Sequence, residues 1–199
     1  ARWFTKILSE KSTSNMIRTL FINKNIIEKG LMRPKKTEKK LIQQIGIIGA
    51  GMMGAGIAHS AALNNIKVTL IDKDLASAQD GLAKINEILI TGLKKGKLTD
   101  EKKEQILSRI VPSCDYGDLK KVDMVVEAVF EDPETKDTVL RKVEKHVRSN
   151  TIIASNTSTL PITDLAQSII DQKHFLGIHF FSPVHKMNLV EIIRGEKTD

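Results

Sequence analysis

The stretch IGIIGAGMMGAGIAHSAALNNIKVTLID, Ile45 to Asp72, reads as one strand–helix–strand unit. Ile45, Ile47 and Ile48 make an apolar run of buried-strand length, and Gly49, Gly51 and Gly54 follow as G-x-G-x-x-G. An alanine-rich helix is expected to about Leu63, ended by Asn64 and Asn65, before a second β-branched run from Lys67 to Ile71 closes in Asp72. Gly49 permits the tight strand-to-helix turn, Gly51 lets a pyrophosphate approach the backbone, and Gly54 lets helix and strand pack closely. The helix N-terminus offers N–H groups and a positive dipole end to phosphates. Asp72 stands 18 residues beyond Gly54, near the roughly 20 at which an acid accepts from both hydroxyls of an adenosine ribose.

A glycine loop alone is weak evidence, but strand, glycines, helix, strand and terminal acid occur here in order. The expected ligand is a dinucleotide, with Gly49, Gly51, Met52, Met53, Gly54 and Asp72 as its binding set. A carboxylate at the strand tip, followed by Lys73 and not Arg, favours NAD over NADP, whose extra phosphate the acid would repel.

The charge is unevenly placed. Residues 1–40 hold 11 Lys+Arg against 3 Asp+Glu, net +8, and the rest hold 20 against 21, net −1, giving +7 overall. The basic character belongs to the leader, so nucleic-acid binding by the body is not expected. One cysteine, Cys114, excludes an internal disulfide and a multi-cysteine metal site, fits a reducing compartment, and reads as a loop or strand-end thiol. No metal site is expected. No apolar run approaches the roughly 18 residues of a membrane span.

In the leader, Trp3, Phe4, Ile7, Leu8, Met16, Ile17, Leu20, Phe21, Ile26, Ile27 and Leu31 recur at helical spacing, closed by Gly30 and by Pro34 in a basic run. Three readings compete: a transit peptide, a membrane-surface helix, and the favoured one, an inter-domain helix whose apolar face packs on something. The first residue is Ala1 and not Met, which reads as an excised or processed piece.

Beyond Asp72 a helix is expected over Leu75–Ile90, a basic turn over Gly92–Gly96, and a second helix over Asp100–Ile110 capped by Thr99 or Asp100. This hairpin is longer than a crossover needs. Lys94, Lys95 and Lys97 either meet a phosphate or form a solvated turn. Val122 to Val129 is a buried parallel strand, Pro133 opens a helix to about Val147, and Thr151–Ala154 is another strand. Glu131 and the cluster Ser155, Asn156, Thr157, Ser158 and Thr159 then lie at carboxyl ends of strands, where open α/β sheets bind ligands. Pro161 starts a helix to about Ile170. Two β-rich runs, His174 to Phe181 and Met187 to Ile193, flank a turn from Ser182 to Lys186. Pairing centred on His185 sets His179 opposite Glu191, within imidazole–carboxylate reach. The pair is either functional or a satisfied structural histidine.

The glycine loop, VVEAVFE (Val125–Glu131), SNTST (Ser155–Thr159) and HFFSPVHKMNLVEII (His179–Ile193) together resemble the L-3-hydroxyacyl-CoA dehydrogenases of fatty-acid β-oxidation over about residues 41–199. The Phe-Ser-Pro form and the leader look more like the multifunctional branch, where an enoyl-CoA hydratase domain comes first and residues 1–40 would link the two. The resemblance implies NAD as cofactor and an acyl-CoA as substrate, with His179 as general base, Glu191 orienting it and Ser158 on the substrate oxygen. It sets Glu131 and Lys136 near a cofactor ribose and Asn156 near the nicotinamide. Ser182 stands where the single-function branch has Asn. A further catalytic Asn and a dimerising C-terminal helical domain would lie beyond Asp199, and the last strand of the cofactor domain is not expected here.

The expected fold class is therefore α/β, a doubly wound, mostly parallel sheet of Rossmann type with a helical hairpin insertion. Residues 1–40 form a helical linker or leader and 41–199 the NAD-binding domain. A bacterial cytoplasm, or a mitochondrial or peroxisomal matrix, suits such a domain. Two rivals remain: a non-catalytic NAD-binding module, and another hydroxy-acid dehydrogenase of similar fold with a lysine as its acid–base group.

Overall fold

A computed structural model of the chain describes residues 2–32 and 40–199. It divides into two compact units, Ala1–Leu41 and Ile42–Asp199. The first is helical: α1 (Arg2–Ser9), α2 (Lys11–Ile17), a π-helical stretch (Arg18–Asn23) and α3 (Lys24–Glu28). Gly30, at φ 64°, ends it, with Gly30 N–H donating to Ile27 and Leu31 N–H to Ile26, the left-handed glycine stop of helix C-termini. The expected break at Pro34 lies outside the described residues.

The second unit is built on seven strands: β1 (Gln44–Ile48), β2 (Lys67–Ile71), β3 (Ile110–Ser113), β4 (Met124–Glu127), β5 (Ile152–Ser155), β6 (Phe175–Phe180) and β7 (Val190–Arg194). Their order is β3-β2-β1-β4-β5-β6-β7, parallel except that β7 runs antiparallel to β6. The period of two along each strand sorts the core into layers. Ile47, Leu70 and Val126 face one way, toward Ile57 and Ala58 of α4 (Met52–Leu63), Ile85 and Leu89 of α5 (Leu75–Lys94) and Ile106 of α6 (Asp100–Leu107). Ile48, Ile71 and Val125 face the other, toward Leu140 and Val143 of α7 (Pro133–Glu144) and Ile162 and Leu165 of α8 (Ile162–Leu165). Each of these Ile, Leu and Val side chains taken out of water contributes about 1.5–3 kcal/mol. Both faces are covered, as parallel sheets require.

Four helix boundaries differ from those read in the sequence, and of the strand expected over Val122–Val129 only Met124–Glu127 is paired as β4. The helix expected to stop at Ile90 continues to Lys94, because Gly92 is tolerated inside it and Gly96, at φ 64°, is the stop; Gly96 N–H donates to Leu93 and Lys97 N–H to Gly92. The basic turn thus begins at Lys95. The next helix ends at Leu107, capped at its start by the Thr99 hydroxyl, and Ile110 opens β3 instead. That strand escaped notice because it contains Pro112, which a sheet edge accepts. The helix begun at Pro133 closes at Glu144, and the segment after Pro161 is one α-turn, Ile162–Leu165, running into a 3₁₀ turn, Ala166–Ser168. Cys114 is exposed just past β3. Among the described residues no helix is long and apolar enough to cross a membrane.

The glycine loop makes the tightest approach. A Cβ on Gly54 would lie 1.7 Å from the Gly49 carbonyl oxygen, and one on Gly49, at φ 98°, 2.6 Å from that of Ala128. Gly54→Ala is therefore expected to destabilise the second unit by about 1–3 kcal/mol through forced backbone displacement, read as a lowered thermal midpoint by circular dichroism; an unchanged midpoint would show that the loop yields freely.

Candidate active site

Order β2-β1-β4 puts the sheet's switch point between β1 and β4, and the loops after β1, β4, β5 and β6 converge at those carboxyl ends. They line a cavity of about 310 Å³ walled by Met53, Ala128, Glu131, Asn156, Ser158 and His179, among others.

The glycine loop forms one rim. Gly51 caps α4 with extended backbone and no side-chain cap. A Cβ there would meet nothing within 4 Å, so the space above the first-turn N–H groups is open for a phosphate. Met52 is exposed and Met53 half-buried. The Asp72 carboxylate accepts from Ala50 N–H at 2.6 Å and from Lys73 N–H at 2.7 Å. It thus braces the loop as well as ending β2, and each oxygen keeps a lone pair for a ribose hydroxyl. This chain's residues fit a dinucleotide.

A charged network lies behind the cavity. Glu127 ends β4, fully buried, and Lys136, in the first turns of α7, is also fully buried. Lys136 Nζ donates to Glu127 at 2.7 Å and pairs with Glu131 at 3.2 Å. Glu127 further accepts from Val129 N–H (2.8 Å) and the Ser155 hydroxyl (2.6 Å). Glu131 Oε1 gathers the Thr157 hydroxyl (2.6 Å), Ser158 N–H (2.8 Å) and Thr159 N–H (3.1 Å). Desolvation opposes ionisation of Glu131, but these donors and the Lys136 charge outweigh it and hold the carboxyl at about 2. Lys136, read in the sequence as a cofactor neighbour, is thus placed beneath the cavity wall, with Glu131 standing between its ammonium and the opening.

The base candidate lies across the cavity. β6 and β7 pair with His179 directly opposite Glu191, the register read from the sequence, and His179 Nδ1 lies 2.9 Å from Glu191 Oε2. A carboxylate only accepts, so Nδ1 is the donor to Glu191, and in the neutral ring this leaves the lone pair on Nε2. His179 is mostly covered, its ring 4.6 Å from that of Phe181, whereas β7 and its Glu191 are exposed throughout. Asn156 Oδ1 accepts from Phe180 N–H at 2.9 Å, which leaves its NH₂ as the donor end. Ser158 holds Glu131 only loosely through its hydroxyl, at 3.4 Å. Ser182 also lines this cavity.

Residues 44–199 match the family model described as 3-hydroxyacyl-CoA dehydrogenase, NAD binding domain. The chain belongs to the 3-hydroxyacyl-CoA dehydrogenase family. It carries that family's NAD-binding domain, so NAD is its cofactor. It is 41% identical over 198 residues to a fatty acid oxidation complex subunit alpha of Pseudomonas syringae, covering all of this chain and 27% of that protein. A subunit of the same description from Acinetobacter baylyi is 44% identical over 181 residues, covering 90% and 25%. The chain thus spans about a quarter of the length of these relatives. Among solved structures, (S)-3-hydroxybutyryl-CoA dehydrogenase from Ralstonia eutropha superposes with TM-score 0.78 at 43% identity, covering 80% of this chain and 56% of that one. A 3-hydroxybutyryl-CoA dehydrogenase from Escherichia coli reaches TM-score 0.78 at 34% identity, covering 80% and 34%.

Two features go beyond the sequence reading: Glu127, and a second cleft that joins Lys95 and Lys97 of the basic turn to Lys84, Glu87 and Lys186. The signal for Glu127 was present: an acid inside the apolar run of β4 requires a cation, and Lys136 is nine residues on. The second cleft, about 600 Å³, opens between α4, α5 and the turn after β6, lined by Lys84, Glu87, Lys95, Lys97, His185 and Lys186 among others. Lys94 is not among its lining residues. Burial and the Lys186 charge push the His185 ring below its ordinary value, toward the neutral form.

Because Glu131 is held at about 2 against an ordinary 4.5, its contribution to stability is complete above pH 4.5 and is lost as pH falls toward 2. Glu131→Gln is expected to lose thermal midpoint less steeply than the wild type across that window; parallel curves would show that its hydrogen bonds do not favour the ionised form.

Proposed function

We propose that this chain is the cofactor-binding part of an enzyme that oxidises the 3-hydroxyl of an acyl-CoA to a ketone by hydride transfer in fatty-acid β-oxidation. The observation that carries the reading is the His179–Glu191 pair, at 2.9 Å, on a cavity shared with Asn156 and Ser158 at the switch point. NAD, when bound, supplies the hydride acceptor. Nε2 of His179 takes the hydroxyl proton as the ketone forms, and Glu191 holds the ring by Nδ1 and stabilises the imidazolium. Ser158 offers its hydroxyl to the substrate oxygen. Gly49, Gly51, Gly54, Met52 and Met53 form the phosphate rim, Asp72 takes the adenosine ribose, and Glu131 and Asn156 face the nicotinamide half. A lysine acid–base mechanism is disfavoured, since Lys136 is fully buried between two carboxylates.

The second cleft suits the anionic end of the substrate. Lys84, Lys95, Lys97 and Lys186 outnumber Glu87 there, and ammonium groups at the mouth of a cleft attract phosphates. A hydratase domain before this chain and a helical domain after it complete the proposal, consistent with relatives about four times as long. The bacterial source of those relatives supports a cytoplasmic location.

In the full-length protein, reduction of acetoacetyl-CoA followed at the NADH absorbance tests the chemistry. His179→Gln is expected to lower kcat/KM by about 10²–10⁴-fold with NADH affinity unchanged; unchanged turnover would remove His179 from the mechanism. Lys95→Glu is expected to raise KM for the acyl-CoA by about two- to fivefold, the scale of one exposed charge contact, while KM for NADH stays put. A rise in both would mean that the second cleft serves the cofactor.

A further inference from the structure

Two carboxylates share one buried lysine here, where a single carboxylate would neutralise it. Burying an ion is costly unless it is paired and hydrogen-bonded. Glu127 alone meets that need, at 2.7 Å from Lys136 Nζ, with both of its oxygens further satisfied by Val129 N–H and the Ser155 hydroxyl. Glu131 sits farther from the same ammonium, at 3.2 Å, and its side chain is one-third exposed. The network therefore carries one uncompensated negative charge, and that charge is displayed at the cavity wall.

We propose that Glu127 is a positioning residue for cofactor binding: by holding Lys136 it spares Glu131 a full ion pair, so that the Glu131 charge stays uncancelled and aimed into the cavity. Glu127 lies behind the cavity wall and is not among the residues that line it. It is fully buried, and its effect passes through Lys136 to Glu131 and on to the Ser158–Thr159 amides that Glu131 holds. Without the Glu127 charge, Lys136 has only Glu131 to pair with, and a tighter pair would draw Glu131 inward and cancel its charge. A second tie runs through the backbone, since Asn156 N–H donates to the Glu127 carbonyl at 2.8 Å. That main-chain bond belongs to the β4–β5 ladder and is kept in every variant at position 127. The proposal rests on the placement of Glu131 beside a ribose of the dinucleotide.

NADH binding to the chain, by fluorescence titration with thermal unfolding in parallel, tests this with four variants. Glu131→Gln and Glu127→Gln are each expected to weaken NADH binding about tenfold, the scale of one charged hydrogen bond. Glu127→Gln keeps an acceptor for Val129 N–H and removes a negative charge near an anionic ligand. Simple electrostatics thus predicts tighter binding, and the relay predicts weaker. Glu127→Gln combined with Lys136→Met leaves Glu131 charged without an ammonium to draw it in, and is expected to recover NADH affinity to within about threefold of wild type.

Wild-type affinity in Glu131→Gln would overturn the placement of Glu131 and the relay with it. Weak binding in Glu131→Gln beside unchanged or tighter binding in Glu127→Gln would overturn the relay alone. So would a double variant no better than Glu127→Gln, since that is the behaviour of a residue that only supports the fold. If Glu127→Gln does not fold, Ser155→Ala decides: it removes one hydroxyl from Glu127 and is expected to lower the thermal midpoint while leaving the chain folded at the titration temperature, and to weaken NADH about threefold; wild-type affinity there would overturn the proposal.

Discussion

Backbone against backbone, with no side chain between, is the constraint from which the second unit takes its shape. Gly49 turns at φ 98° with its Cα against the Ala128 carbonyl, and Gly54 lies against the Gly49 carbonyl. Neither position admits even a methyl group without displacement. Their closeness sets α4 down on β1 and brings the end of β4 beside the turn. Everything downstream of β4, including Glu131, the start of α7 and Lys136, is located by that approach. The core supports it from both sides, because Ile47 and Ile48 feed opposite layers from adjacent positions.

Much of this was legible because it is written in short-range patterns. Three glycines at fixed offsets, an apolar strand ahead of them and an acid after the next strand specify a turn, a helix start and a strand tip within one local unit. The antiparallel β6–β7 register was equally legible, since a hairpin's pairing follows from its centre, and His179 and Glu191 lie equally far from His185. What escaped depended on partners distant in sequence. β3 is a four-residue strand with a proline in it, held by pairing with β2, and nothing inside Ile110–Ser113 announces that pairing. The stop of α5 was misread for a different reason: Gly92 and Gly96 are alike in sequence, and only the second adopts positive φ.

The site shows the same division. The glycines, Asp72, His179 and Glu191 carry residue types whose task follows from their position in a strand or turn. Lys136 does not. Its spacing from Glu131 places it on the following helix, but full burial comes from packing α7 over β4, and its short bond to Glu127 could be inferred only by asking how an acid in a buried strand is compensated. The basic cleft is likewise a tertiary product. Lys84 and Lys95 lie on or just past α5 and Lys186 more than ninety residues later, so no local window holds the set.

The position of Glu191 carries one more consequence. In this chain β7 pairs with β6 alone and every residue of it is exposed, whereas β6, which carries His179, is also paired with β5 over Phe175–Gly177. Edge strands can detach at a free energy well below that of global unfolding. In this chain the alignment of the His179–Glu191 pair therefore depends on how firmly β7 stays paired with β6. Amide exchange along Val190–Arg194 would report that pairing directly, and a chain that is folded by every bulk measure can still hold a misaligned imidazole part of the time.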